Sequence, residues 1–395
     1  MYRKQQAESE VSMDQILVSP CHFGLEAVLK REIADLGLSV VRVEDGRVYY
    51  TGDDSAIARA NMFLRTTERV LLVVGEFEAR TFDELFENTK ALDWPELMPE
   101  DANFYVTKAA SIKSKLFSPS DIQRIIGKAV VESMKRRYRK EYFSKSGAEY
   151  PIRVTINKDR VTISIDTSGE SLHKRGYRKL TAKAPITETL AAAIIMLTPW
   201  KSDRILVDPF CGSGTFPIEA ALIGAGIAPG RNRTFAGQQH AYVPSATWKD
   251  ALDEAISLEK KDISMSIQGY DIDGEIIKAA RQNARLAGVE QYIHFQQRDM
   301  RELSSTRQYG FVITNPPYGE RLEEKAALPH LYKAMGEAFG KLPNWSYFFI
   351  TSYEEAEKYF GRKADKNRKI YNGMIKTYLY EYYGPKPAPR QQRET

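Results

Sequence analysis

From Asp208 to Thr215 the chain reads Asp-Pro-Phe-Cys-Gly-Ser-Gly-Thr, and this octapeptide decides the fold of the C-terminal half. It follows a short β-rich run, Ile205–Val207, and precedes an apolar run of helical spacing, Phe216–Ala225. Strand, glycine-rich turn and helix together form the opening unit of a doubly wound domain. Outward from it the alternation continues. Ile267–Tyr270, Ile293–Gln296, Phe311–Thr314 and Tyr347–Ile350 are β-rich, while Gly274–Ala287 and Leu328–Gly340 have helical spacing. The fold class expected is α/β, with a Rossmann-like domain of mostly parallel strands over residues 185–384. Such sheets bind ligands beyond the carboxyl ends of their strands, so chemistry is expected just after each β-rich run.

Residues suited to chemistry stand at those places. Gly212 and Gly214, behind Asp208 and Pro209, allow a tight turn and close backbone approach to a ligand. The helix that follows offers free N–H groups to an anion. A dinucleotide fingerprint needs a third glycine where Pro217 stands and an acid about 20 residues on. The next strand-end acid is Asp271, 57 residues after Gly214. The loop therefore suits a smaller ligand that carries a carboxylate. Asp271 and Ile272 follow the second run, where an acid can accept from a ribose diol. Asp299 and Met300 follow the third, where a carboxylate can read an adenine amino group. Carboxylate, ribose and adenine together describe S-adenosylmethionine.

After the fourth run comes Asn315-Pro316-Pro317-Tyr318. Pro316 biases Asn315 toward an extended conformation, and paired prolines stiffen the loop. The Asn315 carboxamide oxygen and the Pro316 carbonyl then become fixed acceptors for an exocyclic amine. Such an amine is a poor nucleophile because its lone pair is delocalised into the base. Two acceptors holding its N–H bonds favour a pyramidal nitrogen, and Tyr318 offers a stacking face.

The N-terminal half reads as two small α+β units, residues 14–66 and 67–167. A basic connector, 168–184, joins them to the C-terminal domain. Residues 1–13 and 385–395 are expected to be a disordered leader and a disordered tail. From Phe104 to Leu180, eighteen lysines and arginines stand against seven acids, although the whole chain carries only +5. This is the footprint of a nucleic-acid surface. Lys113, Lys115, Arg124, Lys128, Lys135, Arg136 and Arg137 are the expected phosphate contacts. His173 is read as part of an RNA-facing or interdomain surface, and Glu320-Arg321 as an orienting or RNA-touching pair. Cys211 is read as a small buried side chain.

The series DPFCGSGT, YDID, RDM and TNPPYGERL resembles the class I S-adenosylmethionine-dependent methyltransferases of exocyclic amines. SLHKRGYR (171–178), APITETLAAAI (184–194), IAPGRNRTFA (227–236) and the stretch Ala110–Arg139 narrow the resemblance. They are similar to the bacterial 23S ribosomal RNA guanine-N2 methyltransferase family, over about 14–384. The resemblance implies a ferredoxin-like segment and a THUMP RNA-binding domain ahead of the catalytic domain. It also implies S-adenosylmethionine as cofactor, RNA (23S rRNA or its assembly intermediates) as partner, and places for Thr187 and Glu188 at the cofactor pocket. A transfer-RNA guanine-N2 enzyme, an adenine-N6 DNA methyltransferase and a non-catalytic RNA-assembly factor stay open.

Composition narrows the classes further. A content of 43% hydrophobic and 28% charged residues is that of a soluble globular protein. No apolar run reaches membrane-spanning length. Two cysteines, Cys21 and Cys211, and five histidines without ligand spacing argue against a disulfide framework or a metal site. A reducing, cytoplasmic setting is expected.

Overall fold

The computed structural model describes residues 15–178, 186–319, 322–373 and 375–387. The expected leader, most of the tail, residues 179–184 of the connector and the Glu320-Arg321 pair lie outside the described residues.

The chain opens with β1 (Gln15–Pro20), α1 (Glu26–Asp35), β2 (Ser39–Glu44), β3 (Arg47–Gly52) and α2 (Asp54–Phe63). Next come β4 (Leu71–Glu78), α3 (Phe82–Ala91), α4 (Trp94–Leu97), β5 (Asn103–Ile112), α5 (Pro119–Tyr138), β6 (Glu149–Asn157) and β7 (Arg160–Asp166). Local chemistry sets several boundaries. Thr81 and Glu84 close a capping box on α3, and Ser118 caps α5 with Pro119 at its first position. Lys158 and Asp159 both take positive φ in the two-residue turn between β6 and β7, as a type I′ hairpin requires.

The two N-terminal units share one sheet of seven strands, in the order β2-β3-β1-β4-β7-β6-β5. The seam is β1 against β4, antiparallel, with Leu17 opposite Leu72 and Val18 opposite Leu71. Within the second unit, β5, α5 and β6 make a parallel crossover. The apolar stripe of α5 (Ile122, Ile126, Val130, Met134) packs on Ile152, Val154 and Ile163.

The C-terminal domain comprises α6 (Glu188–Leu197), β8 (Leu206–Asp208), α7 (Thr215–Gly224), α8 (Ser245–Ser257), β9 (Ile267–Asp271), α9 (Gly274–Ala287) and β10 (Ile293–Gln297). It continues with β11 (Phe311–Thr314), α10 (Leu322–Gly340), β12 (Ser346–Thr351), α11 (Ala356–Phe360), β13 (Lys366–Asn372) and β14 (Ile375–Tyr382). Its strand order is β10-β9-β8-β11-β12-β14-β13. The first five strands run parallel, and β14 is antiparallel to both neighbours. The chain steps outward from β8 to β10, then returns to the other side of β8 with β11. A crevice therefore opens above the β8–β11 junction.

Three features exceed the sequence expectation. Helix α10 begins at Leu322, six residues before the expected start. The β13–β14 hairpin completes the sheet. Helix α8 and the segment before it leave the C-terminal domain and join the N-terminal core. Phe235, Val243, Trp248 and Ala251 are buried with Leu17, Tyr50, Ile57 and Met62. Arg59 forks onto Glu254 (2.8 and 2.9 Å), and His240 stacks on Tyr150 at 4.4 Å and bonds the Glu149 carbonyl at 2.9 Å. The connector also packs inward. Arg175 lies 3.6 Å from Glu219 and Arg178 lies 3.3 Å from Glu188, all four side chains being largely buried. His173 and His22 close on Glu68 at 2.8 and 3.5 Å, so the histidine of the connector serves the interdomain surface. Among the described residues, no helix is long and apolar enough to cross a membrane.

Candidate active site

A cavity of about 640 Å³ occupies the crevice above the β8–β11 junction. Its lining gathers Asp208, Pro209, Gly212, Asp271, Ile272, Asp299, Met300, Asn315, Pro316 and Tyr318. These come from four strand ends spread over more than a hundred residues of sequence.

Asp208 ends β8 and is buried. Its Oδ1 accepts from the Thr314 hydroxyl (2.6 Å) and from the Phe210 N–H (3.1 Å), which ties the ends of β8 and β11 together. Burial pushes its carboxyl up to about 7, and the neighbouring Asp271 adds to the push. Asp271 ends β9. Its two oxygens accept from the N–H groups of Gly212 and Asp273, each at 3.0 Å. Burial raises this carboxyl as well, against those two bonds. The glycine-rich loop is thus bolted to the second strand through a carboxylate that also faces the cavity.

Gly212 stands at φ +51°, a conformation that side chains disfavour. Gly214 does not line the cavity. It sits at φ +89°, where a Cβ would lie 3.0 Å from the Phe295 ring and 3.2 Å from Ala280. Its demand is for packing of the loop under the sheet. Helix α7 begins at Thr215 without a side-chain cap, and Thr215 and Phe216 face the cavity. Its first amides are therefore presented to whatever enters.

Ile272 projects at the rim with 69% of its surface exposed. Asp299 is already engaged. Its carboxylate accepts from Arg301 Nε at 3.0 Å on both oxygens, and that bond holds it below the ordinary carboxylate range. Asn315 accepts at Oδ1 from the Tyr318 hydroxyl. Pro316 is buried, Pro317 exposed, and the Pro317 carbonyl lies 3.4 Å from the Tyr332 hydroxyl.

Ile186, Phe210, Arg301, His330, Leu331 and Ala334 also line the cavity and were not anticipated. His330, Leu331 and Ala334 lie on one side of α10. The only sequence signal for them was that a helix after the diproline loop must lean over the crevice. Thr187 and Glu188 do not reach the cavity: Thr187 lies 3.2 Å from His22 Nε2, and Glu188 pairs with Arg178.

The expected phosphate contacts lie on the second α+β unit. Lys113, Lys115, Arg124, Lys128, Arg136 and Arg137 are exposed. Arg124 is paired with Asp121 at 2.9 Å, and Lys135, half-buried, with Glu132 and Glu141 at 3.3 and 2.9 Å. These two are the less available of the set.

Parallel strands in this order, acid-ended around one crevice and followed by a diproline loop, define a Rossmann-like methyltransferase domain behind an α+β appendage. The chain belongs to the RMKL-like methyltransferase family. Its residues 175–381 match the RMKL-like methyltransferase domain, 16–71 the RlmL ferredoxin-like domain and 79–166 the THUMP domain. It is 44% identical to "Putative RNA methyltransferase YpsC" of Bacillus subtilis strain 168, over 96% of this chain and 98% of that one. Among solved structures it resembles a protein described as a possible methylase from Clostridium difficile 630, at 53% identity and a TM-score of 0.92 (96% and 100% of the chains). It also resembles one described as a predicted N6-adenine-specific DNA methylase from Listeria monocytogenes, at 48% and 0.89 (94% and 97%). A third, SMU.472 complexed with SAH, is 43% identical with a TM-score of 0.90 (95% and 99%).

Proposed function

We propose that this protein transfers a methyl group from S-adenosylmethionine to the exocyclic N2 amine of a guanosine in RNA, 23S ribosomal RNA being the favoured substrate. One observation carries the reading: the Asn315-Pro316 acceptors share a single cavity with the strand-end acids Asp208, Asp271 and Asp299.

The cavity fits the cofactor. The uncapped start of α7 suits a carboxylate. Each Asp271 oxygen holds one backbone donor and keeps a lone pair for a ribose hydroxyl. Exposed Ile272 and buried Met300 offer apolar contact to a flat base. Asp299, held by Arg301, offers a carboxylate oxygen to an adenine amino group. When bound, the cofactor supplies an electrophilic methyl group on a sulfonium whose departure leaves a neutral thioether.

The chain's own residues do the rest by positioning. Asn315 Oδ1 carries two lone pairs, so the bond from Tyr318 leaves room for an amine N–H. The Pro316 carbonyl takes the second. With both N–H bonds held, the nitrogen lone pair is turned away from the ring and toward the crevice. Preorganised acceptors cost no reorganisation as charge develops, and this is where the acceleration originates. The proton lost by the amine after transfer passes to solvent at the open mouth. The basic surface of residues 79–166 grips phosphates and sets the approach of the RNA without reading its sequence.

The Listeria relative's description favours a second reading, adenine-N6 methylation of DNA. The THUMP domain and the basic surface on it favour RNA. Nucleoside mass spectrometry of RNA from a deletion strain, followed by mapping of the missing mark, tests the proposal. Loss of an N2-methylguanosine is expected, and loss of an adenine mark from DNA instead would overturn it. Asn315→Ala should lower methyl transfer about a hundredfold or more with SAH affinity unchanged.

A further inference from the structure

A second cavity, of about 530 Å³, adjoins the first. Tyr318 and Gly319 line both, so the two cavities meet along the turn that follows the two prolines. The first cavity stands over β8, β9, β10 and β11. The second stands beyond the carboxyl end of β12, the next strand in the sheet, and is closed by the start of β14. Its walls include Tyr353 and Ile375, the latter 45% exposed, the acids Glu354 and Glu355, and one cation, Lys325.

The two carboxylates differ. Glu355 is occupied, 2.8 Å from Lys358 Nζ and 3.5 Å from the Tyr353 hydroxyl. Glu354 is exposed and has no hydrogen-bond or ion-pair partner among the described residues, although Lys376 is close enough to feel its charge. An aromatic ring, an apolar side chain and an open carboxylate form the equipment of a nucleobase seat. Asn315 and Pro316 line the first cavity, and Tyr318 and Gly319, which follow them in the same loop, line both, so the loop that would hold the amine also borders the second cavity.

Resting on the guanine-N2 reading, we infer that the second cavity takes the body of the target base and that Glu354 selects guanine over adenine. Guanine presents an N1–H donor beside its N2 amine, and a carboxylate accepts it. Adenine presents at N1 a lone pair, which a carboxylate repels. Selection by rejection suits this site, because a bare amine looks alike to Asn315 and Pro316 in either base. Glu354 is a specificity-determining residue in this account, while Asn315 and Pro316 act on the amine.

Transcripts carrying guanine or adenine at the mapped position provide the test, with wild type, Glu354→Ala and Glu354→Gln compared for methyl transfer and for SAH affinity by calorimetry. Glu354→Ala should lose about tenfold or more in kcat/KM on the guanine transcript while binding SAH as the wild type does. Glu354→Gln keeps an acceptor oxygen and should recover part of that loss. Its amide can also donate to adenine N1, so its preference for guanine should narrow. If the wild type methylates guanine N2 and both variants match it on both transcripts, the inference fails and the guanine-N2 reading survives. If the wild type methylates the adenine transcript in preference, both fall together. Should the alanine variant lose SAH binding through misfolding, the guanine-to-adenine ratio of Glu354→Gln alone decides: an unchanged ratio overturns the inference.

Discussion

Replacing Asp208 by asparagine separates a buried charge from the hydrogen bonds it makes. Asp208 is 1% exposed, and both of its hydrogen bonds converge on one oxygen, from the Thr314 hydroxyl and the Phe210 N–H. The carboxamide oxygen of an asparagine can occupy that position and keep both bonds. What the substitution removes is ionisation. Burial pushes the Asp208 carboxyl from an ordinary 3.8 up to about 7. The folded protein therefore holds this proton more tightly than the unfolded chain does. The contribution of the group to stability is most favourable below about pH 4, declines as the pH rises toward 7, and levels off beyond. Over the whole window the decline amounts to about 4 kcal/mol, of which about 2–3 kcal/mol falls between pH 5 and pH 8. The asparagine variant has no such decline. Urea unfolding of both proteins at pH 5 and pH 8, at equal ionic strength, should show the stability of Asp208→Asn relative to wild type rising by about 2–3 kcal/mol across that interval. A difference that stays flat with pH would refute the reasoning, because it would place the charge in contact with water.

Three further perturbations follow from the same geometry. Gly214→Ala forces a side chain into a left-handed conformation and against the Phe295 ring; a loss of about 1–3 kcal/mol in thermal unfolding is expected. His240 is buried against Tyr150, and burial lowers its imidazole to about 4. Its contribution to stability is complete above about pH 6.5 and is lost as the pH falls toward 4, by about 3 kcal/mol. A His240→Phe variant should unfold with a flatter pH profile over that range. Arg136→Ala and Arg137→Ala should weaken RNA binding, with each substitution lowering the slope of log affinity against log salt by about one, while leaving SAH affinity intact; filter binding at several salt concentrations reads this directly.

The sequence by itself determined the parallel strands of the C-terminal sheet and the strand-end residues of its cavity. Alternation of strand and helix is written in short-range periodicity. A doubly wound sheet then sends every strand-end loop to one edge, so Asp208, Asp271, Asp299 and Asn315 could be assigned to one crevice from their places after the β-rich runs. The helix caps at Thr81 and at Ser118-Pro119 are legible for the same reason, since both ends of each signal lie within a few residues.

Only the tertiary structure decided the rest. Arg175 and Arg178 read as part of a basic connector, because composition records the sign of a charge and not its surroundings; their partners, Glu219 and Glu188, meet them only when the connector folds against α6 and α7. The seam between β1 and β4, the docking of α8 on the N-terminal core and the second cavity behind Tyr318 likewise join segments that share no local signal. Local propensity acts through neighbours along the chain, whereas burial and pocket shape arise from surfaces that meet only after the chain has closed upon itself.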